Sequence, residues 1–262
     1  MLLSALAFVC LAQAERTHTF QETLSLPSQC DGLLELEYGV YVVKEPLTWK
    51  QCTLRGQPGT MIELKRPLHV LGTLSLEGHL EITGGLELTT TCINTNRLVI
   101  FSEAFALRRC YSGGVVAREG VHVNGSAEFE ENHRHSNGGA IRSFGPIVQS
   151  GGSLFFRNCS SYASGGAVQA ASFEQLAGSA SFLRCESGAS EEEVRKSKER
   201  GGGGMAVSGV FRQGGTMSFE SCSSVFSGGG LMVLKNLVQQ KTGSLHFKNC
   251  TAGYRGGGAS IR

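Results

Sequence analysis

The chain has 262 residues, 40% of them hydrophobic, enough to bury the core of one large domain. Lysine plus arginine exceed aspartate plus glutamate by only two, and no block of five basic residues occurs, which excludes an electrostatic nucleic-acid binder. Glycine reaches 36 while proline stops at 5, which excludes a Pro/Gly-rich disordered tract and makes glycine a marker of turns.

Residues 1–14 form an apolar stretch ending in Ala12-Gln13-Ala14, the small-x-small pattern that precedes signal-peptidase cleavage, although no Lys or Arg begins it. A secreted or cell-surface chain is the expectation. Removing this signal peptide removes Cys10 and leaves eight cysteines (Cys30, Cys52, Cys92, Cys110, Cys159, Cys185, Cys222 and Cys250), an even number suited to an oxidising compartment. None forms a Cys-x-x-Cys pair, so neither a thiolate zinc site nor a thioredoxin-like motif is expected. No later run of 18 apolar residues predicts a transmembrane helix.

Residues 15–124 read as an N-terminal cap followed by irregular coils. Gly39-Val-Tyr-Val-Val43 has the look of a β-helix entrance, and the runs Leu68 to Leu76 and Leu80 to Leu88 alternate apolar and polar residues with period two, which predicts short strands. The segment before about Leu33 is expected to cover the open edge of the first coil.

Residues 125–262 carry a repeat. The phrase Gly-[Ser/Thr]-x-x-Phe-x-x-[Cys/Asn] occurs five times, starting at Gly125, Gly152, Gly178, Gly215 and Gly243. Its aromatic position is filled by Phe129, Phe156, Phe182, Phe219 and Phe247, and its last position by Asn132, Cys159, Cys185, Cys222 and Cys250. A glycine pair follows six residues later in four copies. In the third copy the glycines begin at Gly201, and a charged insertion, residues 191–200, accounts for the delay. A period of 26 to 28 residues without a leucine ladder predicts one turn of a β-solenoid, in which equivalent residues stack at about 4.8 Å. The fold class expected is all-β: one continuous right-handed parallel β-helix, with a column of phenylalanine rings inside it.

The motifs Phe129-Glu-Glu-Asn132 and Gly138-Gly139-Ala140-Ile141 resemble the Phe-x-x-Asn and Gly-Gly-Ala-[Ile/Leu/Val] repeats of chlamydial polymorphic membrane proteins, as do Phe156-Arg-Asn-Cys159 and Gly165-Gly166-Ala167-Val168 with Cys in place of Asn. This resemblance covers about residues 110–262 and implies the β-helical passenger of a surface adhesin. The run from Gly39 to Ile62 resembles the first coils of pectate-lyase-like β-helix proteins.

No catalytic, cofactor or metal residue can be assigned. Asp31 is the only aspartate, so neither the Asp clusters of polygalacturonase-like enzymes nor an Asp-rich calcium repeat can be assembled. Glu128, Glu130 and Glu131 are the nearest approach to a glycosidase carboxylate pair, and that reading predicts a groove lined by two Glu from successive coils. His133 and His135 flank Arg134 and read as surface histidines before metal ligands. The glycine run from Gly201 lacks the Lys-Ser/Thr of a phosphate loop. Residues 191–200 suit a solvated helical turn, with partner docking as the alternative. The stacked cysteines lie within Cα reach of inter-coil disulfides, though a buried thiol column is the plainer reading. Asn124, Asn158 and Asn249 match the N-glycosylation sequon.

The expected function is an extracellular, adhesin-like β-helix without catalysis and without a cofactor, its partner a glycan or a surface protein. Alternatives are a carbohydrate-active enzyme using Glu carboxylates and a fragment of a longer anchored surface protein. The chain stops at Arg262 just past a glycine corner, which adds end-to-end self-association as an expectation.

Overall fold

The protein is described by a computed structural model over residues 23–188 and 201–262. Residues 1–14, read above as a signal peptide, and the charged insertion at 191–200 lie outside the described residues.

All described regular structure is strand, and every strand pair is parallel, so the chain is a parallel β-helix. Each regular coil contributes three faces. The first is a bent strand such as Ile141–Gly151, the second a straight strand such as Ser153–Arg157, and the third a two-residue strand such as Ser160–Ser161. Ile141–Gly151 pairs with Val168–Gln175, Ser153–Arg157 with Ser179–Leu183, and Ser160–Ser161 with Glu186–Ser187. At the start, Thr23–Leu24 adds one strand outside Gly39–Val43, and the Trp49 indole donates to the Pro27 carbonyl at 3.2 Å.

Because side chains alternate, one set of positions on the second face points inward in every coil. Its register runs Tyr41, Ile62, Ile82, Leu107, Phe129, Phe156, Phe182, Phe219, Phe247. The column begins aliphatic and turns aromatic at Phe129. From there successive ring centroids are 5.0, 4.7, 4.7 and 5.1 Å apart, with interplanar angles of 8 to 12°. That spacing is the rise of one coil, so each ring lies on the next without adjustment of the backbone. Phe129 to Phe219 are fully buried, whereas Phe247 is 36% exposed in the last coil.

The glycine pairs turn the chain from third face to first. Gly165 has φ +66°, and a Cβ on Gly166 would stand 2.0 Å from the Gly203 carbonyl, so neither position accepts a side chain. In the third copy the residue in this conformation is Gly202, φ +72°, and Val168 pairs with Met205. The corner is therefore Gly202-Gly203, one residue later than the sequence spacing suggests, and the chain between Cys185 and this corner is eleven residues longer than in the second copy. Near-identical neighbouring glycines hid the offset.

Just before each Asn or Cys position the backbone enters the left-handed region, at Arg109, Glu131, Asn158, Arg184, Ser221 and Asn249, with φ between 52 and 57°. Only two of these are Asn, the non-glycine residue that tolerates it best. Arg109 also exposes a further copy: Leu107-Arg108-Arg109-Cys110 follows the same path with Leu in the ring position.

Truncating Phe182 to Ala removes a ring sandwiched on both sides, and equilibrium unfolding should register a loss of about 3–5 kcal/mol. Arg184→Gly should instead stabilise by roughly 0.5–1 kcal/mol by relieving the left-handed strain; a loss of stability would show that the Arg184 side chain contributes more than its backbone costs.

Candidate functional site

The residues singled out by the repeat are structural, and their chemistry is that of closing backbone valences. Asn132 is fully buried; its Nδ2 donates to the Leu107 carbonyl at 2.9 Å and its Oδ1 accepts from the Cys110 amide at 3.0 Å. Cys159 donates its thiol to the Phe129 carbonyl at 3.4 Å, Cys185 to Phe156, Cys222 to Phe182 and Cys250 to Phe219. Those carbonyls belong to one register position, so Asn and Cys are interchangeable because each carries a donor to the same acceptor one coil below. The four thiols are free, and the disulfides fall in the first half, Cys30–Cys52 and Cys92–Cys110. Burial, aided by the neighbouring thiols, holds Cys185 well above the ordinary thiol range.

A second internal ladder was not read from the sequence. Gln149, Gln175 and Gln213 occupy one register position of the first face and are all fully buried. Each donates across the corner to the next coil: Gln149 to the Ser179 carbonyl at 2.8 Å, Gln175 to Thr216 at 3.2 Å, Gln213 to Ser244 at 2.8 Å. Gln175 also donates to the Gln149 side-chain oxygen at 3.1 Å. The available signal was a glutamine two or three residues before Gly152, Gly178 and Gly215.

The exterior carries the site. Outward positions of the second face read Met61, Glu81, Ala106, Glu128, Phe155 in one column and Thr83, Arg108, Glu130, Arg157 in the next. The strand Ala104–Arg108 presents two alanines, Ala104 and Ala106, where the coil before presents His79 and Glu81 and the two coils after present Glu128 and Phe155. Small side chains between large ones leave a groove of about 570 Å³. Its walls include Met61, His79, Glu81, Glu103, Glu128 and Phe155, with Arg108 at one side.

Charge along this face is organised by ion pairs. Arg108 reaches Glu128 at 2.9 Å, Glu130 at 3.4 Å and Glu81 at 3.9 Å; Arg157 reaches Glu130 at 2.6 Å and Glu128 at 3.4 Å. Of the sequence's acidic cluster, Glu128 and Glu130 join this network, while Glu131 sits in the strained turn next to it. His79 faces Glu103 at 3.8 Å, and the Ser153 hydroxyl donates to Ser126 at 3.1 Å. The arrangement sets fixed carboxylates, one guanidinium and an aromatic face along the groove.

The two histidines of the turn do not share a ligand. His133 stacks on Tyr111 at 5.7 Å and shares a 2.7 Å hydrogen bond with the Ser160 hydroxyl, whereas His135 packs against Tyr162. Burial lowers the His133 pKa, against a smaller pull upward from Glu131. Among the described residues no group of three His, Cys, Asp or Glu could hold a metal ion. The sequon residues Asn124 and Asn249 are exposed, and Asn158 is half-buried in its left-handed turn. The chain matches no protein-family model, no curated protein and no solved structure.

Replacing Gln175 with Leu would leave the Thr216 and Gly178 carbonyls without their side-chain donor in a closed corner, and urea unfolding should show a loss of about 1–3 kcal/mol. A thiol reagent added to the native protein should modify half-buried Cys250 first and leave Cys159, Cys185 and Cys222 unmodified until unfolding; equal rates at all four would contradict the closed column.

Proposed function

We propose that this is a secreted or cell-surface β-helix that binds a glycan or protein chain in the groove over Ala104 and Ala106, without catalysing a reaction on it. The observation that carries the reading is the arginine network: Glu128 and Glu130, the clustered carboxylates, are both committed to Arg108 and Arg157, an arrangement that recognises rather than transfers protons. The repeat residues support it by pointing inward to maintain the scaffold, leaving the outward positions to vary from coil to coil.

The two disulfides, Cys30–Cys52 and Cys92–Cys110, support an oxidising compartment and so the secreted reading. The motif resemblance to polymorphic membrane protein repeats supports an adhesin-like role, with the exposed coils as the display surface.

A second reading has one observation in its favour. Glu81, Glu103 and Glu128 come from successive coils and line the same groove, as a carbohydrate-active enzyme would require. Register places Glu81 and Glu128 two coils apart, about 9.6 Å along the axis, near the upper limit for an inverting pair.

Ala106→Trp fills the groove while leaving the ion-pair network in place. On a glycan array and on cell surfaces it should reduce binding at least about tenfold relative to the unaltered chain. Unchanged binding would move the site elsewhere. Hydrolysis of any bound glycan, abolished by Glu128→Gln, would replace the binding reading with the enzymatic one.

A further inference from the structure

The strands of the first face bend, and the bend opens a second cavity that shares no residue with the groove over Ala106. Pairing along Leu68–Gly84, Val115–Asn124 and Ile141–Gly151 breaks register in mid-strand, between Val70 and Thr73, Ala117 and Gly120, and Ser143 and Pro146. An added Cβ at Gly145 would collide with the Glu119 carbonyl, so the bend needs a residue without a side chain there. Residues at the break are turned outward, leaving Leu71 62% and Phe144 53% exposed. The cavity beside them measures about 550 Å³, and its walls include His69, Leu71, Asn94, Asn96, Arg118 and Phe144. That volume falls within the range of about 300–1,000 Å³ found for small-ligand sites.

Alternation along the strand supplies the polar groups. Thr95 is buried, with its hydroxyl 3.0 Å from the Gly72 carbonyl and 2.9 Å from the Arg97 carbonyl, so Asn94 and Asn96 on either side of it both face the cavity. His69 holds the register position of Asn94 one coil earlier. Among the described residues none of His69, Asn94, Asn96 and Arg118 makes a side-chain hydrogen bond or an ion pair. In charge this cavity is the reverse of the groove over Ala106, which is walled by Glu81, Glu103 and Glu128. Its lining holds Arg118 and no carboxylate, because the next residue, Glu119, lines a separate cavity with Arg97 and His122. The Arg142 guanidinium lies over the Phe144 ring at 4.5 Å, which holds the ring from one side while half of the side chain stays exposed.

We propose that this cavity binds a short acidic oligosaccharide, one that carries a sugar carboxylate. Two amides and an imidazole offer donors and acceptors to ring hydroxyls, Leu71 and Phe144 offer apolar surface to the C–H faces of a sugar, and Arg118 offers a bidentate partner to the carboxylate. The four coils from His69 to Phe144 span about 14 Å along the axis, the reach of a short chain and more than a single ring needs. An acidic peptide fits less well, because the backbone of these coils is already paired on both sides and leaves no strand edge for a peptide to join. The site stands whether or not the groove over Ala106 binds a ligand.

The test titrates the full chain by calorimetry at low ionic strength, where an exposed guanidinium is least screened, with 3′-sialyllactose and a hyaluronan tetrasaccharide as carboxylated probes and lactose and chitotetraose as their neutral counterparts. At least one carboxylated probe should bind saturably and at least about tenfold more tightly than its counterpart. Arg118→Gln should remove that difference, and Asn96→Ala and Phe144→Ala should each weaken the carboxylated probe at least about tenfold. Arg212→Gln, at an exposed ion pair with Glu174, should leave binding unchanged. Thermal unfolding establishes that each variant is folded; Arg118 is exposed and unpaired among the described residues, so Arg118→Gln keeps the fold and decides if the others do not. No saturable binding of either carboxylated probe, equal affinity for carboxylated and neutral probes, or unaltered binding in Arg118→Gln would overturn the proposal. So would a glutamate-rich peptide that binds through Arg118 more tightly than either sugar. Loss of the sugar in Ala106→Trp but not in Arg118→Gln would also overturn it, and would place the sugar in the other groove.

Discussion

The interior of this molecule follows from one constraint, the repetition of residues at the rise of a single coil. At about 4.8 Å, whatever a position carries is brought against what the same position carries in the coil below, so each register position is a one-dimensional packing problem. Flat rings solve it directly, and the inner column from Phe129 to Phe247 spaces its centroids at 4.7 to 5.1 Å. Branched aliphatic residues fill it in the earlier coils, where Ile62, Ile82 and Leu107 hold the same position and are equally buried.

The same constraint sorts the polar residues by whether they can stand on copies of themselves. A primary amide carries donor and acceptor together, so Gln175 can donate to Gln149 one coil below it, while Gln213 in the same column spends its donor on the Ser244 carbonyl. A thiol donates to the carbonyl beneath it, and Cys159, Cys185 and Cys222 repeat for that reason. Charged residues repel their copies, so the outer column alternates Arg108, Glu130, Arg157, with Glu220 and Lys248 paired at 2.6 Å further along.

The outer surface changes where repetition is broken. Two alanines in the strand Ala104–Arg108 interrupt an outer surface of Glu, His and Phe and open the groove. The scaffold around the groove is held by side chains that point away from it, which keeps the outward residues in place.

The fold was legible from the amino-acid order because a repeat encodes its own register. Equal spacing of Gly, Phe and Cys states which residues share a position, and the rise of a strand then stacks them without further information. The glutamine ladder was within reach of the same argument, but Gln149, Gln175 and Gln213 drift by one residue relative to the glycine that follows them, and the corner at Gly202 was masked by neighbouring glycines. The Leu107 copy escaped because Leu replaced the marker ring. What only the tertiary structure decided lies outside the repeat: which of the outward Glu and Arg side chains meet, and where small residues leave a groove. Those outcomes combine residues from several coils whose exterior positions share no motif, so no spacing along the chain records them.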